Sequence, residues 1–116
     1  MLKKKTEAQL HSLTDEVVER VLNTLNLNIK KIILYGSYAR GTADDESDVD
    51  IMIICDNTEE DVRKYRRETS HIGSEVGLKN DVYISLKLQD SETFEKWKEV
   101  MPFFRNVSDE GVILYG

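Results

Sequence analysis

The stretch Lys31-Ile32-Ile33-Leu34-Tyr35-Gly36-Ser37-Tyr38-Ala39-Arg40-Gly41, followed by Ser47-Asp48-Val49-Asp50-Ile51-Met52-Ile53-Ile54, organises this chain. Lys31 to Tyr35 is a short apolar run and reads as a strand. Gly36-Ser37 breaks it, and Tyr38-Ala39-Arg40 is one helical turn before Gly41. Thr42 to Ser47 is polar and acidic, so it reads as a loop. Asp48 to Ile54 is a second strand, polar at its start and apolar afterwards.

Upstream, Leu10, Leu13, Val17, Val21 and Leu25 recur at spacings of three and four. They mark an amphipathic helix over Glu7 to Leu25 with one buried face. Downstream, Thr58 caps a charged helix that extends to about Gly73–Gly77. Asp81 to Leu88 alternates polar and apolar residues and reads as a third strand. Ser91 opens a further helix, stopped near Pro102. Phe94, Trp97, Phe103 and Phe104 read as core. The segment Gly111-Val112-Ile113-Leu114-Tyr115 is either a short edge strand or a turn docked on the core. The order predicts a single α/β (α+β) domain over residues 1–116, with a small mixed sheet of three to five strands and helices packed against it.

With 116 residues, the chain has room for one core and no second ligand-binding domain. Its formal net charge of −6 argues against strong nucleic-acid binding by this chain alone. No apolar run reaches the roughly 18–20 residues of a membrane span, and Met1 to Thr6 has no apolar stretch behind it to make a secretory signal. A lone Cys55 excludes an internal disulfide and fits a cytoplasmic protein. His11 and His71 lack metal-ligand spacing. Arg63-Lys64-Tyr65-Arg66-Arg67 reads as a solvated helix face, with an acidic partner or RNA as the other reading.

The chemistry lies in three features taken together. In a strand, Asp48 and Asp50 point to one face, about 6.5 Å apart along the chain. Two carboxylates so placed call for a cation, and Mg²⁺ favours carboxylate, phosphate and water oxygens. Asp81, at the start of the third strand, joins the same rim if the strands are neighbours. Three carboxylates suit a two-metal site. Gly36 permits close backbone approach to a phosphate, the following turn offers free N–H groups, and the Ser37 hydroxyl adds a donor. Each feature alone is commonplace: Gly-Ser is usually a turn and Asp-x-Asp usually a solvated strand end. At background usage of about 5–7% per residue type, the joint spacing arises in about one chain per thousand of this length. The aspartate richness of the chain raises that frequency several-fold, and the strand-turn-strand context lowers it again.

Gly36-Ser37-x₁₀-Asp48-x-Asp50, with Asp81 downstream, resembles the motif set of the DNA polymerase β-like nucleotidyltransferases. The fuller string from Gly36 to Gly41 and from Ser47 to Ile51 is similar to the minimal nucleotidyltransferases of bacteria and archaea. The resemblance implies the polymerase β-like fold. It also implies transfer of a nucleoside monophosphate from an NTP, with ATP the expected donor, to a hydroxyl. In that family Asp48 and Asp50 would be metal ligands, and Asp81 would share metal binding with deprotonation of the acceptor. Gly36 and Ser37 would hold the β/γ-phosphates. The resemblance further implies a helical HEPN-type toxin as partner, with this chain as its antitoxin. Whether the assembly is a homodimer or a hetero-oligomer stays open. The alternative is a non-catalytic antitoxin that covers its partner's active site. Arg40 is read as steadying a phosphate or pairing with the acidic loop.

Overall fold

The structure, a computed structural model, describes residues 2–116. The elements run α1 (Glu7–Thr24), β1 (Ile29–Tyr35), α2 (Ser37–Arg40), β2 (Val49–Cys55), α3 (Glu59–Lys79), β3 (Ile84–Asp90), α4 (Ser91–Trp97), α5 (Pro102–Glu110) and β4 (Val112–Tyr115). This is the expected mixed α/β architecture. Its four strands lie in the order β3-β2-β1-β4. β1 is antiparallel to β2 and to β4, whereas β2 and β3 are parallel. That parallel pairing requires a long crossover, which α3 supplies.

The period of two along each strand divides the side chains between two cores. On one face, Ile32, Leu34, Ile51 and Ile53 pack with Leu13, Val17 and Val21 of α1 and with Val62, Ile72 and Val76 of α3. On the other, Ile33, Tyr35, Met52 and Ile54 pack with Phe94 of α4 and with Val107 and Phe104 of α5. β2 is covered on both faces and buries all its residues but Asp50. Truncating a fully buried residue such as Ile53 to alanine would cost about 2–5 kcal/mol.

Local chemistry sets the helix ends. Thr6 and Gln9 form a reciprocal capping box at the start of α1, readable as Thr-x-x-Gln. Thr58 accepts from the Asp61 N–H, as its capping role requires. α3 continues past Gly73 and Gly77 to Lys79, and these glycines let it lie close to β3. A β-carbon on Gly77 would stand 2.5 Å from the Val82 carbonyl oxygen, and one on Gly73 3.1 Å from that of Ile84.

Three expectations are corrected. The third strand begins at Ile84, not at Asp81, because Asn80 and Val82 donate back to Gly77 in a turn and Asp81 takes a left-handed φ of 52°. Pro102 does more than stop a helix: α4 ends at Trp97, and Pro102 opens α5, where its missing N–H is not needed. Trp97 and Phe103 are not core; they are 38% and 40% exposed. The C-terminal segment, read two ways from sequence, is the edge strand β4. Cys55 is buried within β2, as packing predicts. Among the described residues, no helix is long and apolar enough to cross a membrane.

Candidate active site

The antiparallel β1–β2 pairing brings the end of one strand to the start of the next, with Tyr35 directly opposite Asp50. Gly36-Ser37 therefore emerges beside Asp48-x-Asp50. Gly36 has φ 77° and ψ −158°, a conformation that disfavours side chains, and it turns the chain into α2. The Arg40 N–H bonds the Gly36 carbonyl at 3.1 Å, and the Thr42 N–H bonds that of Ser37 at 3.0 Å. The first N–H groups of α2 have no partner within the helix. The Asp50 carboxylate lies over Gly36, so that a β-carbon there would collide with Oδ2 of Asp50. The turn and Asp50 thus form one cradle, closed to any larger residue at position 36, with the charge of Asp48 felt at Asp50.

The cradle is electrostatically strained. Burial pushes the Asp50 carboxyl above its ordinary range, and the charge of Asp48 adds to that. Lys87 of β3 and Arg40 of α2 oppose the shift. Burial, then the charge of Asp50, raises the Tyr35 hydroxyl in the same direction. That hydroxyl is buried without a hydrogen-bond partner among the described residues. Its ring packs edge-on against Phe103 at 5.6 Å between centroids. Lys87 lies 5.6 Å from the centroid of Phe103, on the Asp50 face of the sheet. Neither Tyr35 nor Lys87 stood out in the sequence. Tyr35 carried one faint signal, as the last residue before Gly36, and Lys87 another, as the one basic residue of an alternating strand. Arg40 pairs with Glu110 of α5 at 3.5 Å, and not with the acidic loop. That loop closes on itself, the Ser47 hydroxyl bonding Asp44.

Asp81 stands apart from this group. β3 is indeed the neighbour of β2, but the residue opposite Asp50 is Ser85, four positions beyond Asp81. Asp81 is exposed in its left-handed turn. Among the described residues, no three His, Cys, Asp or Glu side chains gather closely enough to hold a metal ion. The donor set at hand is the Asp48–Asp50 pair. It fits Mg²⁺, which is commonly held by one or two carboxylates together with substrate phosphates and water. A cation there would relieve the repulsion that raises Asp50.

The nucleotidyltransferase domain family matches residues 15–113, spanning α1 to β4. The chain belongs to this family. A Methanocaldococcus jannaschii protein, provisionally named a protein adenylyltransferase, is 38% identical over 100 residues, covering 86% of this chain and 92% of that one. Among solved structures, a toxin–antitoxin complex with AMP-PNP superposes with a TM-score of 0.62 at 19% identity, covering 89% of this nucleotidyltransferase and 73% of that chain. A complex of tri-AMPylated Shewanella oneidensis HEPN toxin with an MNT antitoxin gives 0.54 at 17% identity, covering 91% and 72%. At these identities the two structures speak for a shared nucleotidyltransferase fold.

Proposed function

We propose that this nucleotidyltransferase is a cytoplasmic, Mg²⁺-dependent protein adenylyltransferase that moves AMP from ATP to a hydroxyl on a helical HEPN-type toxin and thereby acts as its antitoxin. The observation that carries the reading is the cradle itself: the Asp50 carboxylate of β2 lies over Gly36, with the charge of Asp48, just before the strand, acting on it. The names of the similar proteins favour protein as the acceptor and a HEPN toxin as the partner.

In this reading the Gly36 backbone and the Ser37 hydroxyl donate to the β/γ-phosphates, with the open N–H groups of α2 beside them. Asp48 and Asp50 hold Mg²⁺, with Asp81 as the proposed third carboxylate. The ion, when bound, supplies neutralisation of phosphate charge. The acceptor oxygen attacks the α-phosphorus in line, the bond to the bridging oxygen breaks, and pyrophosphate departs. Asp81, which stands outside the cradle in this structure, is the proposed acceptor of the hydroxyl proton, a role that requires the acceptor hydroxyl to lie between it and the Asp48–Asp50 pair. Lys87 and Arg40 place positive charge around Asp50 where phosphate negative charge must be accommodated.

The test is label transfer from [α-³²P]ATP to a co-purified HEPN protein in the presence of Mg²⁺. Transfer lost on Asp48→Ala with Asp50→Ala is the expected result. Full neutralisation of the toxin by that double variant, with no label on the toxin, would instead establish the non-catalytic antitoxin.

A further inference from the structure

We infer that the free edge of β3 receives an extended, acidic segment of the protein acceptor as a fifth strand, an inference that rests on the acceptor being a protein. β3 is an edge of the sheet, seven residues long. The Val49 N–H bonds the Tyr83 carbonyl at 3.0 Å, and the parallel register continues from there. The N–H and C=O groups of Ile84, Leu86 and Leu88 consequently point away from β2, along the open edge. Such a row is a template for another strand unless something covers it.

The edge is bordered rather than sealed. One groove of about 350 Å³ lies between Arg66 and Ser70 of α3 and Lys87 and Phe103 on the opposite side. A second, of about 220 Å³, shares Ser70, Leu86 and Lys87 with it and extends to Tyr83. Together they form a trough along nearly the whole strand.

Charge selects the occupant. The chain carries 22 acidic residues, yet the only charged residues lining these two grooves are Arg66 and Lys87. Among the described residues neither belongs to an ion pair. Arg66, which has no ion-pair partner among the described residues, and Lys87, whose charge also acts on Asp50, make a positive lining that suits a segment with acidic side chains, and the exposed Phe103 and Tyr83 offer apolar contact near the two ends. An added strand makes backbone bonds for affinity and uses alternate side chains for specificity.

Register connects the trough to the site. Ser85 faces Asp50 across the β2–β3 pair, so a residue docked beside Ser85 is two strand spacings, about 9.6 Å, from Asp50. A hydroxyl-bearing side chain on that residue, turned to the Asp50 face, points at the nucleotide cradle.

The probe is a heptapeptide alternating Glu and Val around a central Tyr, with a Lys-for-Glu version as control. Two readouts are taken on the whole chain: amide hydrogen exchange at Leu86 and Leu88 without nucleotide, and AMP transfer with Mg·ATP. Docking predicts slowed exchange of both amides by the acidic peptide only. It also predicts at least a tenfold rise in peptide KM for Arg66→Glu, with Mg·ATP affinity unchanged. Unaltered exchange at millimolar acidic peptide, or equal KM in Arg66→Glu, overturns the docking site. Slowed exchange without AMP transfer keeps the docking site and counts against the adenylyltransferase reading.

Discussion

Oδ2 of Asp50 occupies the space that a side chain on Gly36 would need. Position 36 also holds φ at 77°, where any other residue is strained. Gly36→Ala must therefore move the carboxylate or the turn, and either displacement separates the two halves of the cradle. We expect nucleotidyl transfer to fall by more than about 100-fold, since misplacement near 1 Å at a reacting site already costs about that much. Single-turnover AMP transfer measures it, and retention of a tenth of wild-type rate would contradict the cradle.

Asp50→Asn should abolish transfer while making the metal-free protein more stable at neutral pH. The sign follows from the raised carboxyl, which burial and Asp48 both push up. Such a group favours the fold only while protonated, below its unfolded pKa of about 3.9, and that contribution is lost as pH rises through its folded value. Asparagine stays neutral throughout. The Tm advantage of Asp50→Asn should be present at pH 7 and vanish below about pH 4. Added Mg²⁺ should raise the Tm of the wild type alone. Thermal scans across pH, with and without Mg²⁺, check both statements.

Much of this was legible in the residues because one signal sufficed for each element. The three-and-four spacing from Leu10 to Leu25 could only be a helix face, and it is the stripe buried on the sheet. The residues from Lys31 to Ile54 marked two strands joined by a turn and a loop, and the structure adds that they pair antiparallel with Tyr35 opposite Asp50. The start of β3 was misread for a physical reason. Val82 is buried and Tyr83 exposed, so the alternation continues through a turn that is not strand, and parity alone cannot separate them. Lys87 was passed over because its partner Asp50 sits on another strand, and only the parallel register of β2 and β3 brings them together. Phe103 looked like core because hydrophobicity says nothing about which turn of α5 faces the sheet. That helix buries Val107 and leaves Phe103 beside the site.

The close approach of α3 to β3 yields a graded prediction. At Gly77 an added methyl meets the Val82 backbone oxygen at 2.5 Å, and at Gly73 the Ile84 oxygen at 3.1 Å. Gly77→Ala should cost about 1–3 kcal/mol as an overpacked contact, and Gly73→Ala less. The intrinsic helix preference of alanine offsets roughly 1 kcal/mol of each. Urea denaturation gives the order; a Gly73→Ala more damaging than Gly77→Ala would refute the packing.

Asp90 ends β3 and caps α4, accepting from the Thr93 N–H at 2.9 Å. Burial pushes its carboxyl up, but the bonds from Thr93 and Gln89 outweigh burial and hold it below its ordinary range. A depressed carboxyl contributes stability above its unfolded pKa and loses it as pH falls through the folded value. Asp90→Ala should cost about 1 kcal/mol or more at pH 7 as a lost cap, and the difference should shrink below about pH 4. Asp90→Asn should recover part of the cap and show no such acid transition. Equilibrium unfolding from pH 7 down to pH 3 supplies the measurement.

Asp81 offers the sharpest separation of fold from function. Its φ of 52° is the one left-handed conformation at a non-glycine residue among those described, and its side chain is exposed. Glycine at this position removes the steric penalty of that backbone, roughly 1 kcal/mol, whereas asparagine keeps the shape and loses the charge. If the proposed role in metal binding and proton removal holds, both Asp81→Gly and Asp81→Asn should slow AMP transfer by at least about 100-fold. The glycine variant should meanwhile keep or raise Tm, which excludes unfolding as the cause of the lost activity. A turn residue kept only for backbone shape would behave oppositely, with full transfer in both variants. That outcome would leave Asp48 and Asp50 as the sole carboxylates of the site, and Ser85→Asp, placed opposite Asp50, would then be the substitution to test for a third ligand.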